Sequence, residues 1–180
     1  DAENRYMVTG SDDKTVRLWE LSTGRLIRVL RPAIGDGNEG KIYAVAISPD
    51  GKSIACGGWT GGKGEGKNIY IFDRETGRLI KRISGLPNVI LHLAFSKDGR
   101  FLAATFKANN GIRIYDTYDT KDNKPVFSDI DYGDDSYGAD FDSHGRLVTT
   151  SLDGHIRFYE YKDNRFKFLD KQKAKGGNNP

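Results

Sequence analysis

One short motif recurs four times along the chain and constrains its fold more than any other feature. Each copy is a short apolar run that ends in an aromatic residue followed by an acid, at residues 15–20, 68–73, 111–116 and 155–160. The aromatic residues of successive copies lie 43 to 53 residues apart. A period of about 40 to 50 residues is typical of stacked supersecondary units. The motif therefore predicts a repeat protein of four units.

Turn signals divide each unit into short strands. Turns of Ser, Asp and Gly type occur at residues 48–51, 96–99 and 142–145, each between two runs of β-branched, aromatic and small apolar residues. Glycine in such a turn supplies the positive φ that closes a tight hairpin. A second reversal follows the acid, at residues 22–24 and 75–77, and leads into a last strand. Each unit is predicted to contain four strands, which we name a to d in chain order, without helical periodicity.

This pattern resembles the WD-repeat β-propeller family over essentially the whole chain. The resemblance implies an all-β fold in which each four-stranded antiparallel sheet forms one blade, and the blades pack face to face around a central channel. Four predicted units cover residues 1–31, 41–84, 88–131 and 136–170, followed by a linker or tail at 171–180. Unit one lacks strand a, which leaves fifteen strands. We therefore expect a partial propeller of about four blades.

The family's blades contain a hydrogen-bonded network made by a Ser, an Asp and a Trp of one repeat together with a His before strand a. The residues that match this network are Ser11, Asp13 and Trp19 in unit one and Ser151, Asp153 and Tyr159 in unit four. Units two and three lack the Asp, and no unit has the family's Gly-His dipeptide ahead of strand a. The resemblance thus implies a network in the first and last units, with Tyr159 replacing the Trp.

Composition indicates an ordinary β-domain of a reducing compartment. Cys56 is the one cysteine, so the chain has no disulfide framework. The net charge of +3 is too small to indicate a nucleic-acid partner. Neither a signal peptide nor an apolar span is visible. We therefore expect a cytoplasmic protein that binds neither nucleic acid nor membrane.

Three patterns resemble ligand sites but fail in detail. Residues 61–67 have phosphate-loop spacing up to the lysine, but Asn68 lacks the hydroxyl that ligates magnesium, and a strand follows in place of a helix. Residues 129–135 are acidic, but their order does not match a helix–loop–helix calcium site. The three histidines show no ligand spacing. Since no nucleophile–base pattern is present either, we predict a non-enzymatic chain without cofactor or metal.

Two irregular segments favour a binding function at the junction of units one and two. They are residues 31–40, between strands d and a, and residues 59–67, between strands b and c. In WD-repeat propellers these two kinds of loop share one face, which often binds ligands. Trp59 is the predicted anchor, because an aromatic at the base of a polar loop is typical of interfaces. The alternative is that Trp59 packs against Pro32 or Ile34 and pins the loop.

The candidate partner-binding residues form two groups on this loop face. They are Arg31, Trp59, Lys63 and Lys67 in the first group and Tyr132, Asp134, Asp135 and Tyr137 in the second. The second group is predicted to be an acidic patch that receives a basic peptide, or else is simply solvated.

Two functions follow from these observations and both stay open. The first is a scaffold module that binds protein or peptide partners through the loop face. The second is a regulatory or structural propeller segment of a larger protein whose catalytic or effector domain lies outside the chain. An open half-propeller exposes apolar blade faces, so we also expect a homodimer or pairing with missing blades of the same protein.

Overall fold

Fifteen β-strands form four antiparallel sheets, seen in a computed structural model that describes residues 1–62, 64, 66–119 and 123–174. Blade one contains β1 (Tyr6–Gly10), β2 (Val16–Glu20) and β3 (Arg25–Leu30). Blade two contains β4 (Lys41–Ile47), β5 (Ser53–Trp59), β6 (Lys67–Asp73) and β7 (Leu79–Leu86). Blade three contains β8 (Ile90–Phe95), β9 (Phe101–Phe106), β10 (Ile112–Asp116) and β11 (Phe127–Asp129). Blade four contains β12 (Ser136–Phe141), β13 (Leu147–Ser151), β14 (His155–Lys162) and β15 (Arg165–Lys173).

The prediction of an all-β fold with fifteen strands is confirmed. Within every sheet the spatial order of the strands is their chain order, so each blade is a simple meander. The inner strands contact one another across blades: β1 contacts β4, β4 contacts β8, and β8 contacts β12. A cavity of about 730 Å³ follows these inner strands. In blade one, β1 takes the innermost place because strand a is absent.

One hydrogen-bond pattern closes the turns between strands a and b. The Asp50 carboxylate accepts the backbone N–H of Lys52 at 3.0 Å, and the corresponding turns of blades three and four use the same kind of bond. Asp1 accepts the backbone N–H of Arg5 at 2.8 Å in the same way. Residues 1–5 therefore repeat, in blade one, the a–b turn of the other blades.

Three apolar clusters fill the spaces between neighbouring blades. Between blades one and two lie Val16, Leu18, Leu30, Ile42, Ile54, Cys56, Tyr70 and Phe72. The second and third clusters fill the blade two–three and blade three–four interfaces in the same way. Each fully buried Leu, Ile or Phe stabilises the fold by about 1.5–3 kcal/mol. Sheets buried on both faces explain why the strands carry nearly continuous apolar runs.

Glycine allows close approach where strand b of one blade meets strand a of the next. A Cβ on Gly10 would lie 2.4 Å from the Ile42 side chain, and a Cβ on Gly57 would lie 3.1 Å from Ile90. Any larger residue at Gly10 would push the first two blades apart. These two glycines therefore set the spacing between the inner strands.

The outer faces of the two end blades are apolar and exposed. On blade one, Met7 is paired with Trp19 across β1 and β2, and Met7 is 43% exposed. On blade four, a cavity of about 310 Å³ is lined in part by Val148, Phe158 and Leu169, and Leu169 is 46% exposed. These are the surfaces that neighbouring blades cover elsewhere in the molecule.

Candidate functional site

Side-chain contacts tie the connections between blades to the b–c turns on one face, which we call the loop face. The ammonium group of Lys14, in the b–c turn of blade one, donates to the backbone carbonyl of Gly35 at 2.7 Å. The Lys41 ammonium group lies 2.9 Å from the Asp12 carboxylate. The first contact holds segment 31–40 against blade one. The second joins Lys41, the first residue of β4 in blade two, to the b–c turn of blade one.

Trp59 lies at the base of the b–c loop of blade two, where this loop meets segment 31–40. The backbone N–H of Gly40 donates to the Trp59 carbonyl at 2.9 Å, which fixes the two segments side by side. The Lys67 ammonium nitrogen lies 4.8 Å from the centre of the Trp59 ring, a cation–π distance. The indole is half-buried. Trp59 is therefore partly accessible, with the Lys67 ammonium group over its ring.

A cavity of about 700 Å³ opens between the two loops. Its lining includes Asp36 and Glu39 of segment 31–40 together with Trp59 and Lys67. The structure brings Trp59 and Lys67 together. Arg31 is exposed but is not part of the described lining. Lys63 lies outside the described residues.

The second candidate group is divided by the structure. Asp135 accepts hydrogen bonds from the backbone N–H of Ala108 and from the Tyr137 hydroxyl, the latter at 3.0 Å. The carboxylate acceptor raises the pKa of Tyr137, because ionising this phenol would place two negative charges together. Asp134 accepts the backbone N–H of Asp135 at 2.7 Å. Asp134, Asp135 and Tyr137 thus form an acidic surface group that also anchors the b–c turn of blade three.

The prediction that Tyr132 belongs to this surface is wrong. Tyr132 is only 3% exposed and packs in the cluster between blades three and four. Its hydroxyl lies 2.6 Å from the Thr149 hydroxyl and 2.8 Å from the Tyr159 hydroxyl. Burial raises the pKa of Tyr132 to about 12. The residue is a core donor and acceptor and not a partner contact.

Tyr132 occupies the place that the resemblance assigned to a histidine before strand a. Its hydroxyl joins Thr149 on β13 to Tyr159 on β14, and Tyr159 in turn donates to the Asp129 carboxylate at 2.8 Å. Burial also raises the pKa of the Tyr159 phenol. Blade four therefore closes its network with tyrosines, a substitution that a search for Gly-His missed.

Ser151 and Asp153 accept hydrogen bonds from a buried arginine in blade four. Arg157 is 1% exposed, and its guanidinium donates to the Asp153 carboxylate at 2.6 Å and to the Ser151 hydroxyl at 3.0 Å. The hydrogen bond from Arg157, followed by those from the Ser151 hydroxyl and from backbone N–H groups, holds the pKa of Asp153 well below its usual range. The charge of Arg157 is thereby compensated within the blade.

Blade one departs from the predicted network. The Trp19 indole N–H donates at 3.0 Å to the hydroxyl of Thr9 and not to that of Ser11. Ser11 accepts the backbone N–H of Asp13 at 3.2 Å, while Asp13 accepts the Thr15 hydroxyl at 2.6 Å. Thr9 and Thr149 hold the same position of strand b, two residues before the serine. That hydroxyl, present in both units, is the signal that the sequence analysis overlooked.

The ligand-like sequence patterns lie in the connections and strands of blades two to four. Strand β6 follows the phosphate-loop-like segment. The backbone N–H of Asn68 donates to the Thr60 carbonyl at 2.7 Å and closes the base of this segment. Across residues 1–62, 64, 66–119 and 123–174, no set of three His, Cys, Asp or Glu side chains is arranged to hold a metal ion. Over the same ranges, no helix has the length and apolar character required to cross a membrane.

Comparison with known proteins identifies the repeats. The family model described as "WD domain, G-beta repeat" matches residues 1–20, 24–73 and 77–116, together more than half of the chain. Blade four lies beyond these matched residues, yet it has the same strand order as blades two and three. Blade four, which the family model does not match, is also the blade whose buried network is made by tyrosines.

Several relatives are similar over most of this chain. It is 27% identical over 158 residues to small ribosomal subunit protein RACK1y of Oryza sativa subsp. japonica, covering 87% of this chain and 41% of that protein. It is 31% identical over 122 residues to the guanine nucleotide-binding protein subunit beta of Oryza sativa subsp. indica, covering 63% and 29%. It is 30% identical over 111 residues to transcription initiation factor TFIID subunit 5 of Caenorhabditis elegans, covering 61% and 15%.

The chain spans less than half the length of each of these three relatives. One assignment follows from the four meander sheets, from the succession of their inner strands and from the matched repeats. The chain belongs to the WD-repeat β-propeller family, a family of protein-interaction scaffolds.

Proposed function

We propose that this segment is a non-enzymatic scaffold that binds protein or peptide partners through its loop face. The observation that supports the proposal most is the cavity of about 700 Å³ beside Trp59. Small-molecule pockets bury most of a ligand within about 300–1,000 Å³, but they are lined mainly by apolar groups. Here the tryptophan shares the cavity lining with Asp36, Glu39 and Lys67, a mixture typical of an interface anchor with a polar rim.

Trp59 is the proposed anchor for a partner side chain, and Lys67 is proposed to control access to the Trp59 ring. The ammonium group over the indole shields one ring face from water. A partner side chain entering between the loops gains apolar contact with the other face, while a partner carboxylate can pair with Lys67. Arg31, exposed at the start of segment 31–40, extends the basic rim. Lys63 belongs to the proposal by its position in the same loop.

The acidic group of Asp134, Asp135 and Tyr137 is the second proposed contact. Asp134 and Tyr137 are exposed, and Tyr137 presents 49% of its surface. Asp135 holds both the turn of blade three and the Tyr137 hydroxyl, so the group is preorganised. Its charge suits a basic peptide. Tyr132 is not part of it, because its side chain is buried.

Pairing between copies of the chain, or with further blades of the same protein, is also proposed. The exposed apolar faces of blades one and four support it, because similar faces are buried at the three internal junctions. We place this module in the cytoplasm, with no nucleic-acid or membrane partner, on the basis of its lone buried Cys56 and small net charge.

A second candidate function rests on the lengths of the relatives. The chain aligns with only 15% of TFIID subunit 5 and 28% of autophagy-related protein 16 of Arabidopsis thaliana. A propeller segment that positions an effector or catalytic domain elsewhere in a longer protein is consistent with these shares. An enzyme signature elsewhere in the full-length sequence would favour this function over a pure scaffold.

Capture of partners from cell extract tests the loop-face proposal. We expect Trp59→Ala and Asp134→Lys each to remove a subset of the proteins retained by the wild-type chain. Phe168→Ala is the matched control, because Phe168 is an aromatic on the outer strand β15 that is 48% exposed. If both loop-face variants retain the wild-type set of partners, the loop face is not the binding surface.

A further inference from the structure

A second groove lies between blades two and three on the face opposite the loop face. It is formed by the a–b turns of both blades and by the residues that follow β10, and its volume is about 230 Å³. Ile71 and Phe95, both buried, make its floor. Ile80 and Tyr118 line it as well, although they are 57% and 69% exposed. Large apolar side chains are thus exposed beside a ready-made concavity, which is a feature of interaction sites.

The size of the groove selects a class of occupant. Pockets for drug-sized ligands measure about 300–1,000 Å³, so a groove of this volume holds one or two side chains. A short peptide segment that inserts an aliphatic side chain between Ile80 and Tyr118 fits these dimensions.

The walls of the groove are held in place before any partner arrives. The Thr117 hydroxyl donates to the Gly99 carbonyl at 2.8 Å, and the Tyr118 hydroxyl donates to the Asp98 carbonyl at 3.4 Å. Asp98 itself accepts the backbone N–H of Arg100 at 3.0 Å. Because these bonds are made within the chain, a peptide would not have to order the groove as it binds.

Three charged residues line the groove, the acids Asp50 and Asp98 and the lysine Lys81, so its net charge is negative. Asp98 lines the groove, and no residue in the described part of the chain forms an ion pair with it. Partial burial opposes ionisation of Asp98, but hydrogen bonds from Ser96 and from the Arg100 backbone lower its pKa overall, so the group is charged at neutral pH. The Lys81 ammonium group is held by the backbone carbonyls of Asp116 and Asp119.

We propose that this groove docks a peptide segment in which an aliphatic residue is followed by an arginine. The aliphatic side chain enters the pocket over Ile71 and Phe95. The guanidinium stacks on the exposed Tyr118 ring and pairs with Asp98, a combination that suits the planar arginine fork better than lysine. This site is separate from the loop face, and its existence does not depend on the function proposed above.

Titration of the whole chain with blocked tetrapeptides, followed by amide NMR shifts, tests the proposal. The probes are the peptides GLRG, GLEG and GGRG, each acetylated and amidated. We expect GLRG to shift the amides of Ile80, Gly99 and Tyr118, with GLEG and GGRG binding at least about fivefold more weakly, as expected from the loss of an exposed ion pair or a buried aliphatic group. Equal binding of GLEG, no shifts with GLRG, or shifts confined to the loop face would each overturn it.

Two variants locate the contacts. Tyr118→Ala and Asp98→Asn are each expected to weaken GLRG binding about two- to fivefold. The side-chain amide introduced by Asp98→Asn keeps an oxygen that can accept the turn hydrogen bonds, so the spectrum of this variant should remain that of a folded chain. Trp59→Ala serves as the control on the other face. Unchanged binding in both groove variants would show that the peptide does not use this groove. The result is independent of partner capture by the loop face.

Discussion

The guanidinium carbon of Arg157 lies 3.9 Å from the centre of the Tyr132 ring. This contact joins two hydrogen-bonded groups of blade four. On one side of it, Ser151 and Asp153 hold the guanidinium. On the other side, the Tyr132 hydroxyl connects to Thr149 and Tyr159. One stacked pair therefore couples the b–c turn, strands β13 and β14, and the connection from blade three.

Removing the Tyr132 hydroxyl is expected to destabilise the chain. Tyr132→Phe keeps the stacking on Arg157 but leaves the buried Thr149 hydroxyl without this partner, which costs about 1–3 kcal/mol in the free energy of unfolding. Urea denaturation followed by circular dichroism measures the change. Tyr137→Phe is the matched control, since its hydroxyl is exposed, and its midpoint should equal that of the wild type. Equal midpoints for both variants would show that the buried network contributes nothing to stability.

The ion pair of Asp153 predicts loss of stability in acid. The folded pKa of Asp153 is lowered by Arg157, so its stabilising contribution is complete above the unfolded pKa of about 3.9. That contribution is lost progressively as the pH falls below this value toward the folded pKa. Asp153→Asn should therefore narrow the difference in urea midpoint between pH 7 and pH 3.

The control for this experiment is Asp163→Asn. The Asp163 carboxylate pairs at 2.9 Å with Lys167 on the surface and holds no buried charge. Its midpoints should fall with pH as steeply as those of the wild type. A slope of the wild-type size in Asp153→Asn would mean that other acids carry the acid sensitivity.

The thiol of Cys56 is expected to be inert in the folded chain. Burial raises its pKa to about 12, and its side chain packs between blades one and two. Thiolate is the reactive form, so labelling by a disulfide reagent at pH 8 should be slower than in urea by at least about a hundredfold. The absorbance of the released thiol reports the rate. Rapid labelling without urea would indicate that the first two blades separate readily.

Lys67 is predicted to control the exposure of Trp59. In a Trp19→Phe background, Trp59 is the remaining tryptophan. Lys67→Ala removes the ammonium group over the indole, so acrylamide should quench the fluorescence more strongly. Lys14→Ala is the control, because Lys14 lies on the same face and donates to the Gly35 carbonyl. Identical quenching in the two variants would mean that Lys67 does not shield Trp59.

The blades were predictable because their signals repeat in register. Four aromatic–acid pairs and matched a–b turns locate fifteen strands, and the turn at Asp1 repeats the hydrogen bonds of the other blades. Each unit reinforces the interpretation of its neighbours, so no single weak motif had to be decisive.

Individual contacts were harder to predict. Tyr132 follows Asp131 in a connection, where no strand alternation fixes the direction of a side chain, so its acidic neighbours suggested exposure when it is buried. Thr9 was overlooked because the family pattern directed attention to Ser11. The stacking of Lys67 on Trp59 depends on how one loop closes, which local sequence does not specify.

The apolar face of blade four predicts association of the chain in solution. Leu169, 46% exposed, lies with Val148 and Phe158 on a face that at the internal junctions would be covered. Light scattering after size exclusion should give about 40 kDa, twice the 20.1 kDa of one chain. Leu169→Lys should return a monomer, because a charge on this face must be desolvated for blades to pack. Val126→Lys, at a residue 49% exposed on blade three, should remain a dimer. A wild-type monomer would contradict pairing between copies, and the open faces would then be stable in water without a partner.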